Sequence, residues 1–305
     1  DDNKRNLAIA QQIRNNREQD IYSGMYGVAT NYNTDASFIE FFEDLTVNMN
    51  TSDNNRGVWY CALKHLRLFS KGDVTFKQID ENWLNAFKRY LLKKVKQNSA
   101  YTYFNKIRAS LRVAYERNII PKHIKVKGIR YEDVDRAFLT VEELKRVKEA
   151  PCSFEVLKRA FLFSCLTGMR WSDIQALVWS NVSVIEGGHH LTFRQKKTKT
   201  IENLPINEDA AKLMGLKGKA KDLVFKGLKY SAWHNLALRE WMLKAGITKY
   251  ITFHCARHTH AYLLLKNGVD IYTVSQMLGH KNIKTTQVYA KFVDEMKMNA
   301  IRKIP

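Results

Sequence analysis

Residues 167–174 read Thr-Gly-Met-Arg-Trp-Ser-Asp-Ile, so that an arginine directly follows a glycine turn. Asp173 stands one helical turn beyond Arg170. An arginine side chain stays charged at any relevant pH and offers paired donors in a fixed fork, which matches the oxygens of a phosphodiester. The stretch therefore predicts that Arg170 binds a phosphate. Asp173 by itself also fits the ordinary role of a negative charge in the first turn of a helix.

The sequence on both sides of this stretch predicts a mixed α+β domain. Thr140 and Glu143 have the spacing of a capping box, which indicates that a helix begins there, and helical patterns continue to about Leu177. Short strands are then predicted over Val182–Ile185, His190–Phe193 and Ile201–Ile206. Helical patterns resume over Trp233–Ala245, His254–Lys266, Ile271–Leu278 and Thr286–Met298.

Later segments carry further groups that transesterification of a DNA phosphodiester needs. Arg194–Lys199 places several lysines at the tip between two strands, from which an amine can reach a scissile phosphate. His254 and Arg257 have the spacing that puts them on one helix face. Residues 278–280, Leu-Gly-His, end a short helix at a glycine, and Tyr289 follows nine residues after the histidine. These side chains are candidates for a nucleophile, for ligands of the phosphate and for a proton donor to the departing 5′ oxygen.

In this order and spacing, the segments resemble the signature of the tyrosine recombinase (phage integrase) family. That signature has a Thr-Gly-x-Arg-x-x-acid box, a hairpin lysine, His-x-x-Arg, Leu-Gly-His and a tyrosine nine residues farther on. The resemblance implies these roles: Tyr289 as nucleophile, Arg170 and Arg257 as phosphate-clamping arginines, His254 and His280 as transition-state ligands, and Asp173 as the supporting acid. For the hairpin lysine, the family's Lys-Thr followed by a proline fits Lys197 and Pro205, and Lys196 is the alternative.

The resemblance also implies a reaction that needs no metal and no cofactor. Tyr289 attacks the phosphorus, forms a 3′-phosphotyrosyl bond and frees a 5′-hydroxyl, with Lys197 as general acid. Because the bond energy is conserved, a 5′-hydroxyl of a partner duplex can reverse the step and exchange strands. The expected partners are double-stranded DNA attachment sites and further copies of the chain in a synaptic homo-tetramer, together with accessory DNA-bending or directionality proteins. The expected role is integration or excision of a mobile genetic element.

The fold that the resemblance implies is mainly α with a small β-hairpin or three-stranded sheet. A helical core-binding domain and a mixed α+β catalytic domain are expected to form a clamp on DNA. The predicted segments are 1–35 (a charged helix and linker), 36–121 (the core-binding domain), 122–137 (an interdomain linker) and 138–305 (the catalytic domain). Related integrases often carry an arm-binding domain, and residues 1–35 can be interpreted as the end of one. The apolar tail Ala290–Pro305 is expected to dock on a neighbouring protomer or on its own domain.

Residues 36–121 predict compact helices with unusually basic faces. Their apolar residues recur at helical spacing, as at Phe38, Phe41, Phe42 and Leu45. The candidate DNA ligands are Lys64, Arg67, Lys71, Arg108 and Arg112, and Lys196 joins them from the hairpin. A charge run is often only a solvated face, but the chain carries 50 Lys and Arg against 30 Asp and Glu, a net charge of +20. Such a surface favours a polyanionic partner.

Other interpretations stay open from the residues alone. The charge also suits an anionic membrane surface, although no apolar run approaches the roughly 18 residues that span a bilayer. His254, Cys255, His258 and His260 can be interpreted as a metal cluster, but no further ligand stands at a recognisable spacing. Outside such a cluster, His258 and His260 are expected to be structural.

The sequence also leaves rival functions and predicts a location. A type IB topoisomerase or a hairpin-forming resolvase would use the same chemistry, and a non-catalytic DNA-binding protein is the third hypothesis. The chain has four scattered cysteines and no visible targeting signal. We therefore expect a reducing, cytoplasmic setting, in a prokaryote and associated with the nucleoid.

Overall fold

The computed structural model describes residues 2–26, 32–134, 136–185, 188–280, 282–289 and 301. The chain divides into two compact units, Asp1–Val134 and Asp135–Pro305. It is mainly helical with one small antiparallel sheet, which confirms the predicted fold class. Within the described residues, none of the helices combines the length and the apolar character that crossing a bilayer requires.

The described part of the first unit consists of helices, and polar side chains cap the starts of three of them. The α-helices are α1 (Asp2–Tyr26), α2 (Phe38–Asn48), α3 (Asp53–Ser70), α4 (Glu81–Lys94) and α5 (Gln97–Glu116). The side chains of Ser37, Ser52 and Asp80 accept hydrogen bonds from backbone N–H groups in the first turns of α2, α3 and α4. The core of this unit is rich in aromatic side chains, among them Phe42 and Phe87. Helical spacing predicted α2 to α5.

Part of the segment that the sequence predicts as linker packs on the first unit. Ile129 is buried, and Ile124 and Val126 pack against the same apolar core. Side chains of α4 and α5 bind the backbone of this segment: Lys88 donates to the Lys127 carbonyl, Gln97 donates to the Arg130 carbonyl, and Asn98 exchanges two hydrogen bonds with Glu132. Because residues 123–134 form neither helix nor strand, their docking leaves no helical or strand period in the sequence.

The second unit combines helices with one small sheet. Its helices are α6 (Val141–Glu149), α7 (Glu155–Thr167), α8 (Trp171–Gln175), α9 (Glu208–Met214), α10 (Ala232–Lys244), α11 (His254–Lys266), α12 (Ile271–Met277) and α13 (Lys284–Gln287). The strands β1 (Val182–Ile185), β2 (Gly188–Arg194) and β3 (Ile201–Ile206) pair antiparallel in chain order. The predicted capping box of Thr140 and Glu143 starts α6.

Two helical predictions differ from the structure in this unit. Helix α9 was not predicted, because its seven residues are too few for a clear apolar period, although Asn207 caps it and acidic residues fill its first turn. The predicted helix over 286–298 is represented by α13, which begins at Lys284. Residues 290–300 lie outside the described part of the chain, and so does the predicted docking of the tail.

Gly168 allows the sharp turn between α7 and α8. Its φ angle is 70°, in the left-handed region that side chains other than glycine adopt at a cost. A Cβ at this position would lie 2.6 Å from Cδ2 of His260 and 3.0 Å from Cδ2 of Leu278. The glycine therefore serves both the turn and the close approach of α11 and α12.

Gly168→Ala is expected to lower the free energy of unfolding by at least about 1–2 kcal/mol, the cost of the left-handed conformation alone. Urea midpoints of the intact chain measure the effect. The matched control is Gly57→Ala in α3, where an added Cβ would meet no described atom within 4 Å. That change is expected to be neutral or to stabilise by up to about 1 kcal/mol. Equal midpoints for the two variants would contradict this account of the turn.

Candidate active site

The corner between α7 and α8 presents Arg170 beside the hairpin turn. Arg170 is the N-cap residue of α8, and its Nη1 donates a 2.6 Å hydrogen bond to Oε1 of Gln195. Asp173 is buried, and its carboxylate lies 4.0 Å from Arg170 Nη1 and accepts a 2.9 Å hydrogen bond from the backbone N–H of Lys196. Asp173 thus joins the arginine corner to the turn that carries the lysines.

Arg257 ties three of the sequence segments together. Only 3% of this residue is exposed, and its guanidinium donates to the carbonyl oxygens of Gly168, at 2.6 Å, and of Leu278. Burial, and then the charge of Arg170, lower the pKa of Arg257 to about 10. The side chain therefore still carries its charge at neutral pH. A hydrogen-bonded cation held in this way is a preorganised stabiliser of negative charge.

Neutral histidines surround this pair of arginines. Burial, followed by the charge of Arg257, lowers the pKa of both His254 and His280 to about 4. His280 Nδ1 lies 2.8 Å from Oγ1 of Thr286, which orients its ring. His254 begins α11, and its ring centroid lies 4.7 Å from that of His258. At neutral pH each ring therefore offers one N–H donor rather than a full charge.

The Tyr289 hydroxyl lies in the same cluster but is covered. Tyr289 is 1% exposed and packs among apolar side chains of α11 and α12, including Leu265 and Val274. Its oxygen lies 2.6 Å from Nδ1 of His258. Burial raises the pKa of the Tyr289 hydroxyl, while the charge of Arg136 opposes that rise. The phenol is therefore protonated at neutral pH.

The two candidate lysines lie in the turn between β2 and β3. Both are exposed, and Gln195 closes the turn by hydrogen bonds with the backbone of Thr200 and Lys199. The charge of Lys197 is among those that lower the pKa of His254, which places this side chain near the cluster. For Lys196 the described contact is its backbone hydrogen bond to Asp173. Neither contact decides which lysine serves as general acid.

The structure adds two residues that the sequence analysis did not assign to the site. Arg136 hydrogen-bonds to Tyr289, and its charge also lowers the pKa of His254, His258 and His280. It stands in the predicted linker, where no motif marks it. His258, expected to be structural, contacts the Tyr289 hydroxyl, and its position four residues after His254 was the available signal.

Two side chains of the hypothetical metal cluster contact separate backbone groups instead of a common point. Cys255 accepts a hydrogen bond from the backbone N–H of Thr252, and His260 contacts the carbonyl oxygen of Cys165. In the ranges that the structure describes, no group of three or more His, Cys, Asp or Glu is arranged to hold a metal ion.

The basic candidates of the first unit are exposed on two of its helices. Lys64 on α3 and Lys71, the C-cap residue of that helix, are exposed, and Arg67 on α3 forms an ion pair with Glu43 at 2.5 Å. On α5, Arg108 and Arg112 line a cavity of about 530 Å³ together with His123 and Lys125 of the docked segment. Arg112 also lies 3.6 Å from Glu116. Contact of these side chains with DNA stays a prediction.

Comparison with known protein families agrees with the motifs. The sequence model of the phage integrase family matches residues 137–296, and that of the phage integrase SAM-like domain matches residues 37–129. The chain therefore belongs to the phage integrase family, the tyrosine recombinases.

Individual relatives share moderate sequence identity with this chain. A tyrosine recombinase of Thermosipho africanus is 27% identical over 246 residues, which cover 78% of this chain and 82% of the relative. The integrase of Escherichia phage P2 is 27% identical over 180 residues, which cover 59% of this chain and 50% of the relative. Because this chain spans only about half of several such relatives, the substrates and partners of the whole protein are proposals.

Solved structures share the fold. A lambda integrase dimer bound to a COC′ core site matches with a TM-score of 0.67 at 18% identity, over 96% of this chain and 87% of that chain. A lambda integrase tetramer bound to a Holliday junction matches with a TM-score of 0.67 at 19% identity, over 93% of this chain and 86% of that chain. At these identities the likeness shows the fold alone.

Proposed function

We propose that this chain is a site-specific recombinase that cleaves and rejoins DNA through a 3′-phosphotyrosyl intermediate on Tyr289. The observation that carries the proposal is the convergence of distant segments on one phenol. Arg170, His254, Arg257 and His280 come from three separate sequence boxes, and their charges or rings are electrostatic neighbours in one cluster. Two arginines suit the charge that builds on the non-bridging oxygens of a pentacoordinate phosphorus.

The proposed reaction follows from these groups. The Tyr289 oxygen attacks phosphorus, and the bond to the 5′ oxygen breaks as a hairpin lysine gives that oxygen a proton. The resulting phosphotyrosine retains an activated phosphodiester, so a 5′-hydroxyl from another duplex can displace the tyrosine without ATP. Residues 1–305 contain every side chain that this sequence of steps uses, so the proposal includes no cofactor.

Tyr289 is covered in this structure, so the proposed attack requires that the hydroxyl become accessible to a bound phosphate. The tyrosine stands two residues after α13, beside residues outside the described part of the chain. We propose that DNA binding and assembly open access to this hydroxyl while the tyrosine keeps its contact with His258. A synaptic tetramer is part of the proposal, supported by the lambda integrase tetramer that shares the fold.

The proposed biological setting is integration or excision of a mobile element in a prokaryote, on attachment-site DNA at the nucleoid. The similarity to the phage P2 integrase supports this setting. Docking of the tail on a neighbouring protomer, DNA contacts by the basic helices and help from accessory DNA-bending or directionality proteins belong to the same proposal.

Strand exchange tests the recombinase function against the topoisomerase alternative. A duplex that the intact chain selects from a randomised pool, hereafter the selected duplex, is supplied in two lengths with different end labels. We expect products in which the labels of the two lengths are joined, and these should depend on the selected sequence. Relaxation of supercoiled DNA of any sequence, without joined products, would contradict recombination and favour a topoisomerase.

Substitution of the two hairpin lysines identifies the general acid. Lys197→Ala is expected to slow cleavage of the selected duplex roughly 10²–10⁴-fold, the usual contribution of general acid catalysis. A substrate whose scissile 5′ oxygen is replaced by sulfur should restore the rate to within a few-fold, because a thiolate leaves without a proton. Lys196→Ala is the matched control, with little change on either substrate. The opposite pattern would assign the role to Lys196.

A further inference from the structure

His258 contacts the hydroxyl that the proposed reaction uses. Its Nδ1 lies 2.6 Å from the Tyr289 oxygen, a short hydrogen bond. Only 6% of His258 is exposed, and the centroids of the two rings are 5.5 Å apart. On the same helix the ring of His254 meets His258 edge-on, with ring centroids 4.7 Å apart. The imidazole is therefore held against the phenol by packing on more than one side.

The protonation states of the pair allow His258 to accept this hydrogen bond from the phenol. Burial, and then His254, lower the pKa of His258 to about 3, with the charges of Arg136, Arg257 and His280 acting in the same direction. The imidazole is neutral at pH 7, and burial keeps the phenol protonated. We assign the phenol as donor, which leaves the ring proton of His258 on Nε2.

A protonated tyrosine is a poor nucleophile and must lose its proton as it attacks. We propose that His258 is the base that takes the proton of the Tyr289 hydroxyl during attack on the phosphodiester. This inference rests on the proposed role of Tyr289 as nucleophile. The family signature as given above assigns no role to His258, which directly follows Arg257 of the His-x-x-Arg box.

The proton and electron pairs balance in both directions. The O–H bond of Tyr289 breaks, its electron pair forms the bond to phosphorus, and the proton passes to Nδ1 of His258. The pair of the bond between phosphorus and the 5′ oxygen stays on that oxygen, which takes a proton from the hairpin lysine. In the rejoining step the 5′-hydroxyl oxygen attacks phosphorus and gives its proton back to the hairpin lysine, while the departing tyrosine oxygen takes its proton back from His258.

The electrostatics of the cluster link this proton transfer to bound DNA. Without DNA, the positive charges of Arg136 and Arg257 oppose a proton on His258. A phosphodiester held by the arginines brings a negative charge that offsets them, so the basicity of His258 rises when the substrate is in place. This arrangement keeps the tyrosine protonated and unreactive until a phosphate is bound.

The test compares single-turnover cleavage of a nicked selected duplex by the wild type, His258→Asn and His258→Ala. Asparagine can still accept a hydrogen bond but cannot take up the proton. We expect His258→Asn to cleave roughly 10²–10⁴-fold more slowly than the wild type. The cleavage rate of His258→Asn should rise roughly tenfold per pH unit, because the phenolate fraction rises by that factor below the tyrosine pKa. The cleavage rate of the wild type should depend much less on pH.

A substrate with a sulfur leaving group distinguishes the proposed base from the general acid. A 5′ sulfur should leave the His258→Asn defect in place, whereas it should rescue the lysine variant. Imidazole in solution should partly restore His258→Ala, which leaves space for it and serves as the second variant if asparagine perturbs folding. His190→Asn, on β2, is the matched histidine control and should cleave within about twofold of the wild type.

The outcomes distinguish this inference from the proposed function. If the wild type forms no adduct, or Tyr289→Phe forms one, the proposed nucleophile is wrong. If both behave as expected, cleavage by His258→Asn within threefold of the wild type would overturn the role of His258. A defect of equal size at every pH that imidazole does not relieve would overturn it as well, because that result indicates a purely structural contact.

Discussion

Tyr289→Phe is expected to form no covalent DNA adduct while it binds the selected duplex with nearly wild-type affinity. The change removes the attacking oxygen and leaves a ring that fits the same apolar cluster. The lost hydrogen bond to His258 costs about 1 kcal/mol, which a unit of this size tolerates. Binding persists because many cationic side chains share the contact with phosphates. Adducts are counted on denaturing gels with a nicked duplex, and affinity is measured by anisotropy.

The matched control for this prediction is Tyr272→Phe in α12. Tyr272 is exposed and belongs to the same unit. It should form as much adduct as the wild type. An adduct on Tyr289→Phe, or its loss on Tyr272→Phe, would be incompatible with Tyr289 as the nucleophile.

Arg170→Ala is expected to lower the cleavage rate roughly 10²–10³-fold, the effect of removing one preorganised transition-state donor. Affinity for the selected duplex should fall much less, since one contact among many phosphate contacts is lost. Arg170→Lys should recover only part of the rate, because an ammonium keeps the charge but lacks the planar fork. Rates are measured in single turnover, so that product release does not mask the chemistry.

Lys217→Ala provides the control for charge alone, because it removes one positive charge at an exposed position of the same unit. Its cleavage rate should match the wild type. If Arg170→Ala cleaved within tenfold of the wild type, Arg170 would not be a principal ligand of the transition state. If both variants lost the same activity, general electrostatic attraction would explain the effect better than a clamp.

The sequence predicted the elements of the fold wherever a local rule decides the structure. Helical spacing predicted α2 to α5, the capping box predicted the start of α6, and the short strand-like runs between residues 182 and 206 predicted the three strands. Local rules failed for α9, which is short, and for the docked segment around Ile129, which pairs with side chains of α4 and α5 rather than with a neighbour in sequence.

The site could be anticipated in its residue types but not in its contacts. Motif spacing pointed to Arg170, Arg257 and Tyr289. No spacing could show that the Arg257 guanidinium donates hydrogen bonds to the carbonyl oxygens of Gly168 and Leu278. The burial of Tyr289 depends on side chains from two helices, α11 and α12. Arg136 approaches the phenol from a segment without any periodic pattern.

The structure also shows why glycine is favoured at the glycine positions of the motifs. Gly279 has a φ angle of 57°, and a Cβ there would collide with the side chains of Gln195 and Glu202. The Leu-Gly-His box therefore lets α12 approach the hairpin that carries the lysines. Together with Gly168, this position brings the arginine corner, the hairpin and His280 into one cluster.

The most direct test of the central claim is the identity of the residue that becomes joined to DNA. The covalent complex is trapped on a nicked selected duplex, digested with protease and nuclease, and its nucleotide-bearing peptide is sequenced by mass spectrometry. We predict a nucleotide linked through its 3′-phosphate to Tyr289, with a free 5′-hydroxyl on the released strand. Attachment to any other residue, or linkage through a 5′-phosphate, would contradict the proposed mechanism.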